Sequence, residues 1–212
     1  MYESERKQMV EFQLKRRGIS DKGVLEAMHS VPRHLFLSET TRSMAYGDFA
    51  VPITNNQTIS QPYIVAQMLE LLDLNKSDRV LEVGSGSGYV LALLSRLVRK
   101  AIGLERIPEL AEKSRKPLKE VKADNVIVIQ GDGSEGKVQY APFDKILVSA
   151  AVPEPPKKLL DQLKTGGILV APIGSRMQQK LVRITKLPNG YKETYHGDCA
   201  FVPLIGKGGF EL

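Results

Sequence analysis

Three carboxylates stand at the ends of three successive apolar runs: Glu82 after Val80-Leu81, Glu105 after Ala101-Ile102-Gly103-Leu104, and Asp132 after Val126-Ile127-Val128-Ile129 and Gln130-Gly131. Glu82 leads into Val83-Gly84-Ser85-Gly86-Ser87-Gly88-Tyr89, and an apolar helix pattern (Val90, Leu91, Leu93, Leu94, Leu97) follows. Alternating glycines permit a sharp turn and a close backbone approach, and the first turn of a new helix offers N–H groups to an anionic part of a ligand. Such a loop suits a nucleotide-type cofactor.

A dinucleotide loop reads G-x-G-x-x-G. Here Tyr89 stands where its third glycine belongs, and a carboxylate at Glu82 would repel a pyrophosphate. No Lys-Ser or Lys-Thr follows the glycines, so the phosphate loop of nucleotide hydrolases is excluded as well. A ligand with an ammonium group, a sulfonium and no phosphate fits, which points to S-adenosyl-L-methionine, with S-adenosyl-L-homocysteine as product. Glu82 then suits the ammonium. Glu105, 21 positions after Gly84, is placed to accept from both ribose hydroxyls, and Asp132 from the adenine amine, with Gly133 leaving room for the ring.

These positions require a sheet whose strands end side by side. Strands are expected at 80–83, 101–104, 126–129, 145–148 and 168–171, with helices near 89–98, 108–122 and 155–164. Unbroken apolar strands alternating with helices indicate a doubly wound, Rossmann-like α/β sheet, mostly parallel and covered on both faces. Pro117 should kink or shorten the second helix. The Asn189-Gly190 turn signal predicts an antiparallel carboxyl-terminal hairpin, with strands over 180–187 and 195–204. Residues 1–78 hold two helix patterns (about 2–17 and 21–30) and a long polar stretch from Ser38 to Gln61. That stretch reads as a cap closing over the cofactor. The chain thus divides into 1–78 (helices and cap) and 79–212 (methyltransferase core), within one compact domain.

Composition sets the wider bounds. With 42% hydrophobic and 25% charged residues the chain is ordinary globular protein, and its one cysteine, Cys199, excludes an internal disulfide. No apolar run is long enough to span a bilayer, and the amino terminus does not read as a signal peptide, so a cytoplasmic protein without membrane contact is expected. The net charge of +6 invites a nucleic-acid reading. Its basic residues are dispersed among acids without interleaved aromatics, which favours solvated helix faces over a nucleic-acid partner. His196-Gly197-Asp198-Cys199 lacks a second cluster and is expected to form a turn before the last strand, with no metal. Arg33-His34 fits either a substrate contact or a proline-bounded turn packed beneath the cap, and Asp48 could order the cap or support Ser60.

The fourth strand is followed by Ser149-Ala150-Ala151-Val152-Pro153, where no general base is found. Methyl transfer to an amine or hydroxyl benefits from a base, whereas a carboxylate is ionised at neutral pH and needs none. An acidic nucleophile is therefore favoured.

Several segments then narrow the reading: Val31-Pro32-Arg33-His34-Leu35-Phe36, Ala45-Tyr46-Gly47-Asp48, Gln57-Thr58-Ile59-Ser60-Gln61-Pro62, Gly131-Asp132-Gly133, Pro142-Phe143-Asp144, Leu163-Lys164-Thr165-Gly166-Gly167 and Phe201-Val202-Pro203-Leu204. With these the chain resembles the protein-L-isoaspartate (D-aspartate) O-methyltransferase family over nearly its whole length. The resemblance implies esterification of the free α-carboxylate of L-isoaspartyl residues in damaged proteins and peptides, after which the succinimide re-forms and part of it hydrolyses to normal aspartate. It implies that Ser60 is the active-site serine, holding the acceptor carboxylate without a covalent intermediate. Thr58, Ile59, Gly84, Ser85 and Gly86 would border the cofactor, and Asn56, Gln57 and the backbone around Val202 the substrate. A monomer is expected. Thr54-Asn55-Asn56 stand where members often carry glycines, Ser85 where Thr is frequent, and Phe210 where Trp is common. The residues alone leave two alternatives: the same fold acting on another acceptor, RNA or a small molecule, or a non-catalytic cofactor-binding module.

Overall fold

A computed structural model describes residues 2–211; Met1 and Leu212, the outer ends of the two expected segments, lie outside the described residues. Its centre is a seven-stranded sheet in the order β5-β4-β3-β6-β7-β8-β9. The strands are β3 (Arg79–Val83), β4 (Lys100–Glu105), β5 (Val126–Gln130), β6 (Phe143–Val148), β7 (Leu163–Gly174), β8 (Gln179–Leu187) and β9 (Gly190–Cys199). The first five pair in parallel, while β8 and β9 run antiparallel. The mostly parallel, Rossmann-like class with an antiparallel end is therefore the fold of this chain.

Strand side chains divide by the two-residue period of the pleat. Val80, Ala101, Leu147 and Val170 enter one apolar cluster, and Leu81, Ile102, Ile146 and Leu169 the other. Both faces are thus sealed, which is why these strands read as continuous apolar runs. On one face lie α2 (Lys22–Ser30) and α4 (Tyr89–Leu97). That cluster continues into Met9, Val10 and Leu14 of the amino-terminal helix, so the segment before β3 and the sheet share one core. On the other face α6 (Lys157–Asp161) contributes Leu159 and Leu160.

Sequence order runs outward from β3 in both directions, to β4 on one side and β6 on the other. Ligands of such sheets bind at that switch point, outside the carboxyl ends of the strands. Here it lies between Val83 and Val148, where the Ser149 amide donates to the Val83 carbonyl at 2.8 Å.

Several expected boundaries move. The amino-terminal helix comprises α1 (Glu3–Gln8), a widened π-type stretch over Met9–Leu14 and a final tight turn over Lys15–Arg17. A further helix, α3 (Pro62–Leu71), starts where only the end of the cap stretch was expected; Pro62 at its first position is compatible with helix initiation. The helix α5 (Pro108–Glu120) keeps Pro117 in its last turn and stops two residues early. The helix expected over 155–164 shrinks to α6 because Leu163 already pairs with Phe143 in the sheet. β9 begins directly at Gly190, so His196-Gly197-Asp198-Cys199 lies within that strand and not in a turn before it. A register shift opposite Lys180–Val182 and φ +101° at Gly197 account for its turn-like sequence. Among the described residues no helix is long and apolar enough to cross a membrane.

Candidate active site

The glycine loop between β3 and α4 is bent by three left-handed residues, Gly84, Gly86 and Gly88, with φ of 79°, 50° and 85°. Four of its amides are engaged within the protein. Gly84 and Ser85 donate to the Leu104 carbonyl, Gly86 donates to Glu105 Oε2 at 2.8 Å, and Gly88 donates to the Ser85 carbonyl. The protein's own carboxylate at the end of β4 thus takes up the Gly86 amide. Glu105 is buried, and its Oε1 accepts the Ile107 amide at 2.8 Å.

Glu82 and Ser85 each bring an unsatisfied polar atom to one cavity. Glu82 is 1% exposed; Oε1 accepts the Ser149 hydroxyl at 2.8 Å, and Oε2 has no hydrogen-bond partner. The Ser85 hydroxyl, also buried, has none either. An orphaned buried carboxylate oxygen is costly and calls for a cationic donor. Burial drives the Glu82 carboxyl up to about 8; the Ser149 hydroxyl opposes this rise and the charge of Glu105 adds to it. Free of ligand, the group is thus largely protonated at neutral pH. One free carboxyl oxygen and one free hydroxyl thus line a single cavity, and they suit the ammonium and carboxylate of an amino acid.

Three adjoining cavities surround this pair. The one holding Glu82 and Ser85 is also lined by Ser60 and Tyr89. A second lies beside Leu104, Glu105, Ile107 and Gly133. The third opens outward past Tyr63, Gln67 and Val202. Thr58 and Ser149 line all three. The first and third share Thr58, Ser60, Ser149 and Phe201, none of them ionisable.

The cap supplies Thr58 and Ser60. Strands β1 (Val51–Pro52) and β2 (Thr58–Ile59) form a short hairpin. Its turn has Asn55 and Asn56 at φ 62° and 56°, with the Gln57 amide donating to the Thr54 carbonyl. Two consecutive left-handed residues are the mark of a type I′ turn, and asparagine tolerates that region nearly as glycine does. The departure at Thr54-Asn55-Asn56 therefore keeps the hairpin shape. Asn55 Nδ2 donates to Glu109 Oε2 at 2.9 Å, which ties the hairpin tip to the start of α5. Asp48 accepts from Arg17 at 2.8 Å, and from Gln61 Nε2 at 2.9 Å through its side chain and its carbonyl. It orders the cap next to Ser60.

Val202 reaches the site because the final segment pairs with the chain after β6. The Ala151 amide donates to the Val202 carbonyl and the Leu204 amide to the Ala151 carbonyl, both at 2.8 Å. Gln179, fully buried, accepts the Phe201 amide at 2.9 Å and holds that segment from below.

Most expected site residues thus come together: Thr58, Ile59, Ser60, Glu82, Gly84, Ser85, Gly86, Glu105, Gly133 and Val202 each line at least one of the three cavities. Gln57 lies beside Glu105 and not in the outer cleft. Asn56 lines none of the three, because the turn holds it exposed at the hairpin tip. Asp132 also stands behind the wall. Its Oδ1 accepts the Ser134 amide and hydroxyl, and its Oδ2 accepts the Lys207 amide at 3.0 Å. Burial alone would raise its carboxyl, but these donors outweigh burial and hold it below the usual range. A Cβ on Gly133 would sit 2.6 Å from the Val83 side chain, so glycine is required there for packing. Sequence reasoning did not find Ser149 and Phe201. Ser149 follows β6 directly and carries no sequence signal of a base, since it does not ionise at neutral pH.

With this geometry in place, the similarities are informative. The family model for protein-L-isoaspartate(D-aspartate) O-methyltransferase matches residues 4–209. A protein-L-isoaspartate O-methyltransferase of Methanoculleus marisnigri is 47% identical over 207 residues, 98% of this chain and 94% of the relative. One from Petrotoga mobilis is 48% identical over 211 residues, 99% of each chain. Among solved structures, one named protein-L-isoaspartate O-methyltransferase aligns at a TM-score of 0.86 and 30% identity, over 96% of this chain and 67% of that one. The Plasmodium falciparum protein-L-isoaspartate O-methyltransferase structure, in complex with S-adenosyl-L-homocysteine, aligns at 0.82 and 32%, over 94% and 98%.

Proposed function

Because the chain belongs to the protein-L-isoaspartate(D-aspartate) O-methyltransferase family, we propose a role for each residue of the site in methylating isoaspartyl carboxylates. The protein is an S-adenosyl-L-methionine-dependent methyltransferase acting on L-isoaspartyl residues. The bound cofactor supplies an electrophilic methyl group on its sulfonium and departs as S-adenosyl-L-homocysteine.

Glu82 Oε2 and the Ser85 hydroxyl hold the amino acid end of the cofactor, since both are buried, lack partners and line the same cavity. Glu105 accepts ribose hydroxyls with the lone pairs its two backbone amides leave free. Gly133 lines the cavity beside Glu105 and leaves room for the adenine, while Asp132, engaged by the Ser134 and Lys207 donors, supports that wall from behind. Thr58, Ile59 and Gln57 close the cap side.

Ser60 donates its hydroxyl to the acceptor carboxylate and orients it toward the methyl group. The observation that carries this reading is the junction of Thr58, Ser60, Ser149 and Phe201, which joins the Glu82 cavity to the outer cleft without an ionisable group. A carboxylate needs no base, so orientation and exclusion of water suffice. The outer cleft past Tyr63, Gln67 and Val202 accommodates the flanking peptide, with Val202 as its backbone support. The partners of the reaction are isoaspartyl-containing proteins and peptides.

The linkage formed tests this reading. A carboxyl methyl ester is hydrolysed in mild base and releases methanol, whereas N-methyl and nucleic-acid methyl groups persist. Base-labile label on isoaspartyl peptide is expected, and base-stable label on RNA or amines would overturn it.

A further inference from the structure

Arg33 is the largest fully buried side chain outside the reacting groups, with 0% exposure. It sits in a tight turn over Arg33–Phe36, just after α2, and no carboxylate accompanies it. Two of its three guanidinium nitrogens donate to backbone, and the third, also buried, has no hydrogen-bond partner. Nε donates to the Ala45 carbonyl at 2.8 Å, and one terminal nitrogen donates to the Ser60 carbonyl at 2.8 Å, with the Ile59 carbonyl at 3.5 Å from the same nitrogen. The guanidinium carbon lies 4.9 Å from the ring centre of Tyr89, the first residue after the glycine loop. One planar cation therefore touches the cap, the serine and the start of the cofactor helix. An isolated buried charge is expensive, and hydrogen bonds and a facing ring only partly offset the cost. A fold that needed only to fill this space could use an apolar side chain.

We propose that Arg33 is a positioning residue that fixes the Ser60 backbone against the cofactor helix, so that the serine hydroxyl is aligned for methyl transfer. The inference rests on the reading of Ser60 given above. Burial lowers the guanidinium to about 10, which leaves it charged at neutral pH. The titratable groups beside it are Tyr46 and Tyr89, both pushed upward by burial and so neutral in the same range. The fork geometry matters because Nε and a terminal nitrogen reach carbonyls on two different segments; a lysine ammonium reaches one at a time.

The test compares wild type, Arg33→Lys and Arg33→Met in three measurements: affinity for S-adenosyl-L-homocysteine, steady-state kinetics on an isoaspartyl peptide, and folding by circular dichroism. Both variants are expected to fold and to keep homocysteine-ligand affinity within about three-fold, while kcat falls about ten-fold or more. A buried lysine has a lowered pKa, and its cationic form is present below that pKa and lost above it. The Arg33→Lys to wild-type ratio of kcat should therefore decline as pH rises from about 6.5 to about 9, and the ratio for Arg33→Met should stay flat. Unchanged kcat in both folded variants would overturn the proposal, as would a pH-independent lysine ratio. Unfolding of both variants would make Arg33 a core residue and overturn it equally. An inactive wild type would instead count against the isoaspartyl reading itself.

Discussion

Glu105 Oε2 accepts the backbone N–H of Gly86 at 2.8 Å, so the loop amide that a pyrophosphate would seek is already held by the protein's own carboxylate. This contact separates the loop from dinucleotide-binding loops of similar spelling. Glu105→Gln loses acceptor capacity at the point where Gly86, Ile107 and the ribose converge. Cofactor affinity should fall about ten- to hundred-fold, the worth of one or two charge-assisted hydrogen bonds. Calorimetric titration of both forms checks this, and unaltered affinity contradicts the ribose assignment. A nicotinamide dinucleotide should fail to displace S-adenosyl-L-homocysteine.

Glu82 links cofactor binding to protons. Its carboxyl is raised from 4.5 to about 8 by burial, and an ammonium partner favours its ionised form. Between about pH 5.5 and 7, binding should release a proton and tighten with rising pH, as seen by calorimetry in buffers of different ionisation heat. Glu82→Gln should abolish both effects. The sign for stability is opposite. Between about 4.5 and 8 the folded state keeps a proton the unfolded chain has lost, so the ligand-free protein loses stability as pH rises through this window. Melting temperatures that rise across it would contradict the assignment.

Ser60→Ala should lower kcat by about ten-fold or more while cofactor affinity stays within about two-fold, because the hydroxyl is assigned to the acceptor and not to the cofactor. Equilibrium binding alongside steady-state kinetics separates the two. Weakened cofactor binding with unchanged kcat would contradict that role.

The cap hairpin depends on two left-handed residues. Asn56→Val places a β-branched side chain at φ 56° and should cost roughly 1–2 kcal/mol locally, whereas Asn56→Gly should be neutral. The valine variant should raise KM for the peptide through a displaced Thr58–Ser60 segment, and the glycine variant should not. Equal KM values would show that the turn does not position the cap.

Much of the site was legible because it lies at strand ends. Apolar runs of about four residues predict strands, parallel strands end together, and Glu82, Glu105 and Gly133 follow from that alone. The hairpin turn at Asn189-Gly190 was likewise read from its residues, although the last strand starts earlier than its polar composition suggests: β9 is an exposed edge strand with little apolar patterning. The helix α3 was hidden because its start merges with the cap motif. Ser149 and Arg33 were harder still. Ser149 acts by position at a switch point, and Arg33 by burial among backbone carbonyls, which is contrary to the usual exposure of arginine. Asp132 shows the reverse case: its place at a strand end was read correctly, while its carboxylate is engaged by the Lys207 and Ser134 amides.

The central claim is that the acceptor is an isoaspartyl carboxylate. Two peptides identical except for one Asp or isoAsp residue, incubated with methyl-labelled S-adenosyl-L-methionine, test it most directly. The account predicts base-labile label on the isoaspartyl peptide and background on its partner; equal labelling of the two would contradict it.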